Sequence, residues 1–363
     1  MKDIARDLGV SLMTVSKALH NHSDISEQTR ARVLKRAKRL GYQPNWVARS
    51  LVTRRTYLVG LVIPDLMHSF FVELARGVAR MLEPRRYHIL ILDSQESAEA
   101  EVRQIEALLS RNVDGLIIAS AQKSGHWLAR ALRTRSIPYV LVDRKLAGLK
   151  GHYVGVDDHE IGAVATSHLI EQGCRRIAHI RGPAISTGRG RWAGYRRALS
   201  EHGLMELAGY VVDGGSEDDS GFDAMRHLLH LNPPPDGVFC YNDPVAAGAI
   251  KAVFEAGLNV PKDVAIIGAG NVHYSDLLRV PLSTIDQSSS AIGEMAGELL
   301  VQSMEAKTAP RPKQILIPPR LLVRESSQKT QHPPVAPGGA QGREERGNES
   351  VKYANSASAV DSS

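Results

Sequence analysis

The chain reads as an α/β protein with a small helical head, on three observations. Residues 1–57 carry helical patterning and all of the chain's net excess of positive charge. From Tyr57 onward, short apolar runs of strand length alternate with amphipathic stretches of helical length, as in parallel sheets covered by helices on both faces. The number of such units is enough for two sheets. With 363 residues, 43% of them hydrophobic, the chain is long enough for several domains and apolar enough for a sizeable core.

In the head, Ile4, Ala5 and Leu8 recur at helical spacing, Gly9 gives a permissive backbone at a turn, and Ser11 is placed to cap a second helix carrying Val15, Ala18 and Leu19. This is a helix-turn-helix, although a plain structural hairpin shares the same pattern. The remaining face of the second helix carries Leu12, Met13, Thr14, Ser16 and Lys17, and such a face suits a DNA major groove. Charge favours that reading. Residues 1–57 hold twelve Lys or Arg against four Asp or Glu, a net +8 in a chain whose total is +6, so the remainder is slightly acidic. Concentrated cationic charge beside a groove-sized helix is the footprint of a duplex binder. A third helix is expected from Ser26 to Gly41, with Arg30, Arg32, Lys35, Arg36, Lys38 and Arg39 on its basic face. The proline-led segment after Tyr42 has helical potential but is too short to be stable alone.

Strands are expected at Val59–Ile63, His88–Leu92, Gly115–Ala119, Tyr139–Val142, Tyr153–Val156, Ile177–Arg181, Gly237–Cys240 and Val264–Gly268. Helices are expected at Phe71–Leu82, Ala98–Ser110, Glu160–Gln172 and Pro244–Ala256, among others. Ligands of open parallel sheets bind beyond the carboxyl ends of the strands, so the cleft between two sheets is the expected pocket. No apolar run reaches membrane-spanning length and no signal pattern precedes the first helix, so no membrane partner and a cytoplasmic, nucleoid-associated location are expected. Cys174 and Cys240 have neither metal-ligand nor disulfide spacing. Gly268-Ala269-Gly270 and Gly188-Arg189-Gly190 each lack the third glycine of a dinucleotide fingerprint, and His152, His159, His168 and His179 follow no ligand spacing. Neither catalytic residues, nor a metal, nor a cofactor is expected. An exported sugar-binding protein or a doubly wound metabolic enzyme would share the core, but the first lacks a use for the head and the second needs a cofactor motif.

The N-terminal run resembles the lactose- and galactose-repressor (LacI/GalR) family of bacterial transcription regulators. So do Gly41-Tyr42-Gln43-Pro44-Asn45 with Ala48-Arg49-Ser50-Leu51, Gly60 to Asp65 with Phe70-Phe71, and Val113 to Ile117. Further matches are Ile137 to Val140, Arg191-Trp192-Ala193-Gly194-Tyr195 and Asn242-Asp243, in order as far as about Glu325. The resemblance implies a dimeric regulator, normally a repressor and not an enzyme, with a core like the periplasmic sugar-binding proteins. Its boundaries are a helix-turn-helix domain at 1–44, a hinge at 45–56 and a core at 57–325. The core comprises one subdomain of 57–157 plus 286–313 and another of 158–285 plus 314–325, and a disordered tail follows at 326–363. That tail has no leucine heptads, which points to a homodimer. The chain starts so near its first helix that residues usual in the family are missing there, which leaves an upstream start open.

By the same resemblance, Leu12, Met13 and Lys17 face base edges, Thr14, Ser16 and Asn21 lie nearer phosphates, and Leu51 is the hinge leucine that wedges into the minor groove of a pseudo-palindromic operator. Effector contacts fall on Phe70, Phe71, Asp143, Arg191, Asn242 and Asn271. Phe71 also suits core packing, Asp143 also suits pairing with Arg144, and Asp243 suits capping of the next helix. Two departures stand out: Gly268-Ala269-Gly270-Asn271 lacks the family's acidic pair, and Ser216 stands where an aromatic often stacks on the ligand. They count against an ordinary neutral pyranose. Arg191 without a nearby acidic partner would tolerate an anionic ligand such as a sugar acid or phosphate, so the expected effector is a sugar or a sugar derivative, with an anionic one allowed. Replacing Leu51 with alanine should weaken specific operator binding roughly tenfold or more, with nonspecific binding nearly unchanged. Equal losses in both, read by fluorescence anisotropy, would remove the wedge role.

Overall fold

The computed structural model describes residues 1–19, 22–42, 50 and 55–329. Asn21, Leu51 and most of the expected hinge lie outside the described residues, as does the expected tail beyond Lys329. The head has three helices, α1 (Lys2–Leu8), α2 (Leu12–Leu19) and α3 (Glu27–Arg39). They enclose a core of Ile4, Ala5, Val15, Ala18, Val33 and Ala37.

The body has two six-stranded sheets. The first lobe contains β1 (Leu58–Ile63), α4 (Ser69–Leu82), β2 (His88–Asp93), α5 (Ala98–Ser110), β3 (Gly115–Ile118), α6 (His126–Arg135), β4 (Tyr139–Val142) and β5 (His152–Val156). The chain then crosses to the second lobe for α7 (Asp158–Glu171), β6 (Ile177–Arg181), α8 (Ser186–Glu201), β7 (Val211–Asp213), α9 (Asp218–Leu229), β8 (Gly237–Cys240), α10 (Asp243–Glu255), β9 (Ala265–Gly270) and β10 (Ser283–Asp286). It returns for α11 (Ser289–Glu305) and β11 (Gln314–Ile317), and crosses a third time to β12 (Arg320–Leu322). The strand orders are β11-β5-β4-β3-β1-β2 and β12-β10-β9-β8-β6-β7. All pairings are parallel except β12 on β10.

Two expected boundaries move. Gln314–Ile317 pairs with Tyr153–Val156 in the first lobe's sheet, so the last crossover falls at Pro318-Pro319 and not at 313. Four residues of mixed exposure carry no mark of the sheet they join; the open edge of β5 decides it. The core also runs past Glu325. Ser326 and Ser327 are fully buried; Ser326 Oγ donates to Ile266 O at 2.7 Å, and Ser327 Oγ lies 2.7 Å from His168 Nε2. A Ser-rich sequence looks solvated until its hydroxyls find partners inside.

The same packing device recurs in three helix pairs. A side chain on Gly77 or Gly293 would strike the carbonyl of Ser290 or Leu74, which locks α4 to α11. Gly162 and Gly194 meet the carbonyls of Arg191 and His159 between α7 and α8, and Gly221 and Gly248 meet those of Val245 and Asp218 between α9 and α10. Without a Cβ at these crossings the helix backbones touch, and interiors this dense do not yield to added volume. Gly162→Ala should therefore lower unfolding free energy by about 1–3 kcal/mol and displace Arg191. An unchanged urea midpoint would show that α7 and α8 can separate freely.

Candidate functional site

In the head, Ser11 accepts from Thr14 N–H at 3.0 Å and starts α2, while Gly9 ends α1 in the left-handed region at φ 64°. Val15 and Ala18 face inward, leaving Leu12 and Met13 46% and 65% exposed, with Thr14 and Ser16 half-buried beside them. Lys17 is on the same helix, but its ammonium is paired with Asp24. The pair is solvent-exposed, so a guanine acceptor or phosphate can replace the carboxylate easily. Arg36 does not belong to an open basic face. Its Nε donates to Asp7 at 2.8 Å and fastens α3 to α1.

A second candidate site lies where the C-terminal ends of both sheets face each other, a cavity of about 420 Å3 including its open mouth. Asp65, His68, Phe70 and Phe71 reach it after β1, Glu96 after β2, and Asp143 with Arg144 after β4. From the second lobe come Arg191 on α8, Ser216 after β7, Tyr241 and Asn242 after β8, and Ala269 in β9; Gln287 comes from a crossover. Five of the six sequence-derived residues thus converge. Asn271 is not among the lining residues: its Oδ1 accepts from Arg324 Nη2 at 2.9 Å, and its position next to β10 is fixed by Thr284 Oγ1. The C-terminal segment that supplies Arg324 is 53 residues away in sequence, beyond what local reading could see.

Arg191 is almost completely buried and is not short of an acid. Nε donates to Asp158 at 3.1 Å, Nη1 to Tyr241 O at 2.6 Å and Nη2 to Gln287 Oε1 at 3.0 Å. This corrects the expectation of an unpartnered cation. Asp158 opens α7, and the glycine-mediated contact of α7 with α8 brings the two together. Burial pushes the Asp158 carboxyl up to about 6, against the pull of Arg191. Arg144 is held in the same way by Glu96, through two bonds of 2.7 and 2.5 Å. Its Nε has no hydrogen-bond acceptor and lies 3.6 Å from Asp143, whose carboxyl burial also pushes upward. Asp143 sits at φ 60°, a strained conformation for a non-glycine residue, beside the cavity.

Phe70 and Phe71 meet edge to face at 5.1 Å, both in the core and on the cavity wall, so the two readings of Phe71 coexist. Asn242, not Asp243, caps α10: its Oδ1 accepts from Val245 N–H at 3.0 Å. Asp243 turns inward to accept from Val272 N–H, Ser275 and Thr284 at 2.6–2.9 Å. Sequence reasoning missed His68, Glu96, Arg144 as a wall residue and Gln287. Only His68, two residues before Phe70, carried any local signal.

Residues 1–45 match the family described as bacterial regulatory proteins, lacI family, and residues 166–327 match the periplasmic binding protein-like domain. The chain is 35% identical over 323 residues to the ribose operon repressor of Escherichia coli (strain K12), covering 88% of this chain and 97% of the relative. A solved transcriptional regulator CelR–cellobiose complex is 30% identical, with TM-score 0.69 and coverage of 89% and 98%. The lac repressor dimer bound to operator and the anti-inducer ONPF shares the fold at TM-score 0.80 and 24% identity, with coverage of 90% and 98%. No helix among the described residues is long and apolar enough to cross a membrane.

The cavity predicts a pH effect. Enclosure and the nearby Arg191 and Arg144 lower the His68 pKa from 6.5 to about 4, with Glu96 opposing weakly. The unfolded chain therefore binds the extra proton first, so the contribution of His68 is complete above pH 6.5 and is lost as pH falls toward 4. The stability advantage of wild type over His68→Asn should shrink by about 1–3 kcal/mol across that window in urea titrations. The opposite-signed term from Asp158 is common to both proteins and cancels. A difference that stays flat with pH would contradict the neutral imidazole.

Proposed function

Because this chain belongs to the lacI family of bacterial regulatory proteins, we propose that it is a homodimeric repressor. Its operator affinity is set by a small, neutral, polyhydroxylated ligand of about pentose size in the cleft. It acts by binding and without turnover. The observation that carries the ligand class is the charge pairing: Arg191 already has Asp158, Arg144 already has Glu96, and Asp143 and Asp65 add two further carboxylates. An anionic ligand would meet no free cation there, whereas hydroxyl donors would meet acceptors. Phe70 and Phe71 offer apolar ring edges to the carbon face of such a ligand. The name of the ribose operon repressor relative supports a pentose.

In this reading Leu12, Met13 and Lys17 address base edges, and Leu51 opens the operator centre. The lobes turn about three crossovers, and a ligand that binds one lobe arrangement better shifts the spacing of the two hinges in the dimer. Its effect on operator affinity equals its differential affinity for the two arrangements. The test is site selection from random duplex at near-physiological salt, followed by anisotropy with pentoses, hexoses, sugar acids and sugar phosphates. A palindrome with a central pyrimidine–purine step and a response to a neutral pentose are expected. A response confined to acids or phosphates would overturn the ligand class.

A further inference from the structure

His68 and Asn242 approach each other across the lobe boundary, Nε2 to Nδ2 at 3.4 Å, and proton accounting shows that they have nothing to give each other. Each side chain caps a helix in its own lobe. His68 Nδ1 accepts from Phe70 N–H at 3.3 Å at the start of α4, and Asn242 Oδ1 accepts from Val245 N–H at 3.0 Å at the start of α10. The caps therefore take up the one acceptor nitrogen of His68 and a lone pair of Asn242 Oδ1, and fix the orientation of both side chains. Asn242 Nδ2 uses one hydrogen on Ser216 O at 2.8 Å and has another left. The imidazole is neutral at physiological pH and carries one proton, which the Nδ1 cap forces onto Nε2. Two N–H donors thus point at one place from opposite lobes, and both residues line the cavity.

We propose that His68 and Asn242 form a split reading pair, in which one oxygen of the ligand accepts a hydrogen bond from each lobe at once. The inference rests on the cleft being the effector site, and it names a further specificity residue, His68, together with the atom type it reads. With the oxygen in place both donors are satisfied in the closed cleft. Without it two donors face each other, and closure is disfavoured. A single ligand atom is then both recognised and used to hold the lobes together.

The proton position is decided in the ligand-free full-length protein, by nitrogen-15 correlation spectra of the histidine rings. The Nε2–H tautomer is expected for His68, and the Nδ1–H tautomer would overturn the proposal whatever the ligand proves to be. The binding arm uses D-ribose as probe, by calorimetry. His68→Asp keeps an acceptor for the cap but turns the cavity-facing donor into an acceptor, and should lose roughly 100-fold or more in affinity. His68→Asn keeps the cap and restores an N–H, and should recover most of that loss. Equal affinities for the two variants at matched urea midpoints would overturn the pair. If wild type ignores ribose, the pentose reading fails while the tautomer still decides the pair, and the ligand that the wider panel identifies replaces ribose in the comparison of variants.

Discussion

The cleft is organised around one buried guanidinium. Arg191 joins the first turn of α7 through Asp158, the end of β8 through Tyr241 O and the second crossover through Gln287, and its charge lies 4.7 Å over the Tyr241 ring. A charge this deep is tolerable only when it is paired and hydrogen-bonded, and here each of its three nitrogens bonds a partner from a different segment, so all three segments must be in register. Two of these segments sit at lobe crossings, so the same group that forms the cavity floor also ties the pivots together.

That arrangement depends in turn on how closely helices can approach. The glycine contacts of α7 with α8 put Asp158 within reach of Arg191, and the matching contacts of α4 with α11 fix the helix that His68 caps. The lobes are built by the same rule, which gives each a densely packed interior. The proposed conversion of ligand binding into a change of hinge spacing relies on a division between rigid bodies and pivots.

Charge is partitioned along the chain in the same sense. The head is strongly cationic and its basic groups stay near solvent, apart from those such as Arg36 that hold helices together. The cleft is the reverse, with its arginines neutralised internally and carboxylates left over.

By itself the sequence determined everything written in short-range patterns. The helix-turn-helix follows from Gly9, Ser11 and helical periodicity, and the body strands from their apolar runs. The cavity position of Phe70, Phe71, Asp143, Arg191 and Asn242 follows from their places after strand ends or from the family resemblance. Tertiary structure alone decided what depends on distant partners. Asp158 neutralises Arg191 across 33 residues, Arg324 takes Asn271 out of the cavity across 53, and Gln314–Ile317 joins whichever sheet edge is open. Local patterns report the conformation of a segment and the face it buries. The partner of a buried charge and the sheet chosen by a four-residue strand are set by what folding brings alongside, which no window of sequence contains.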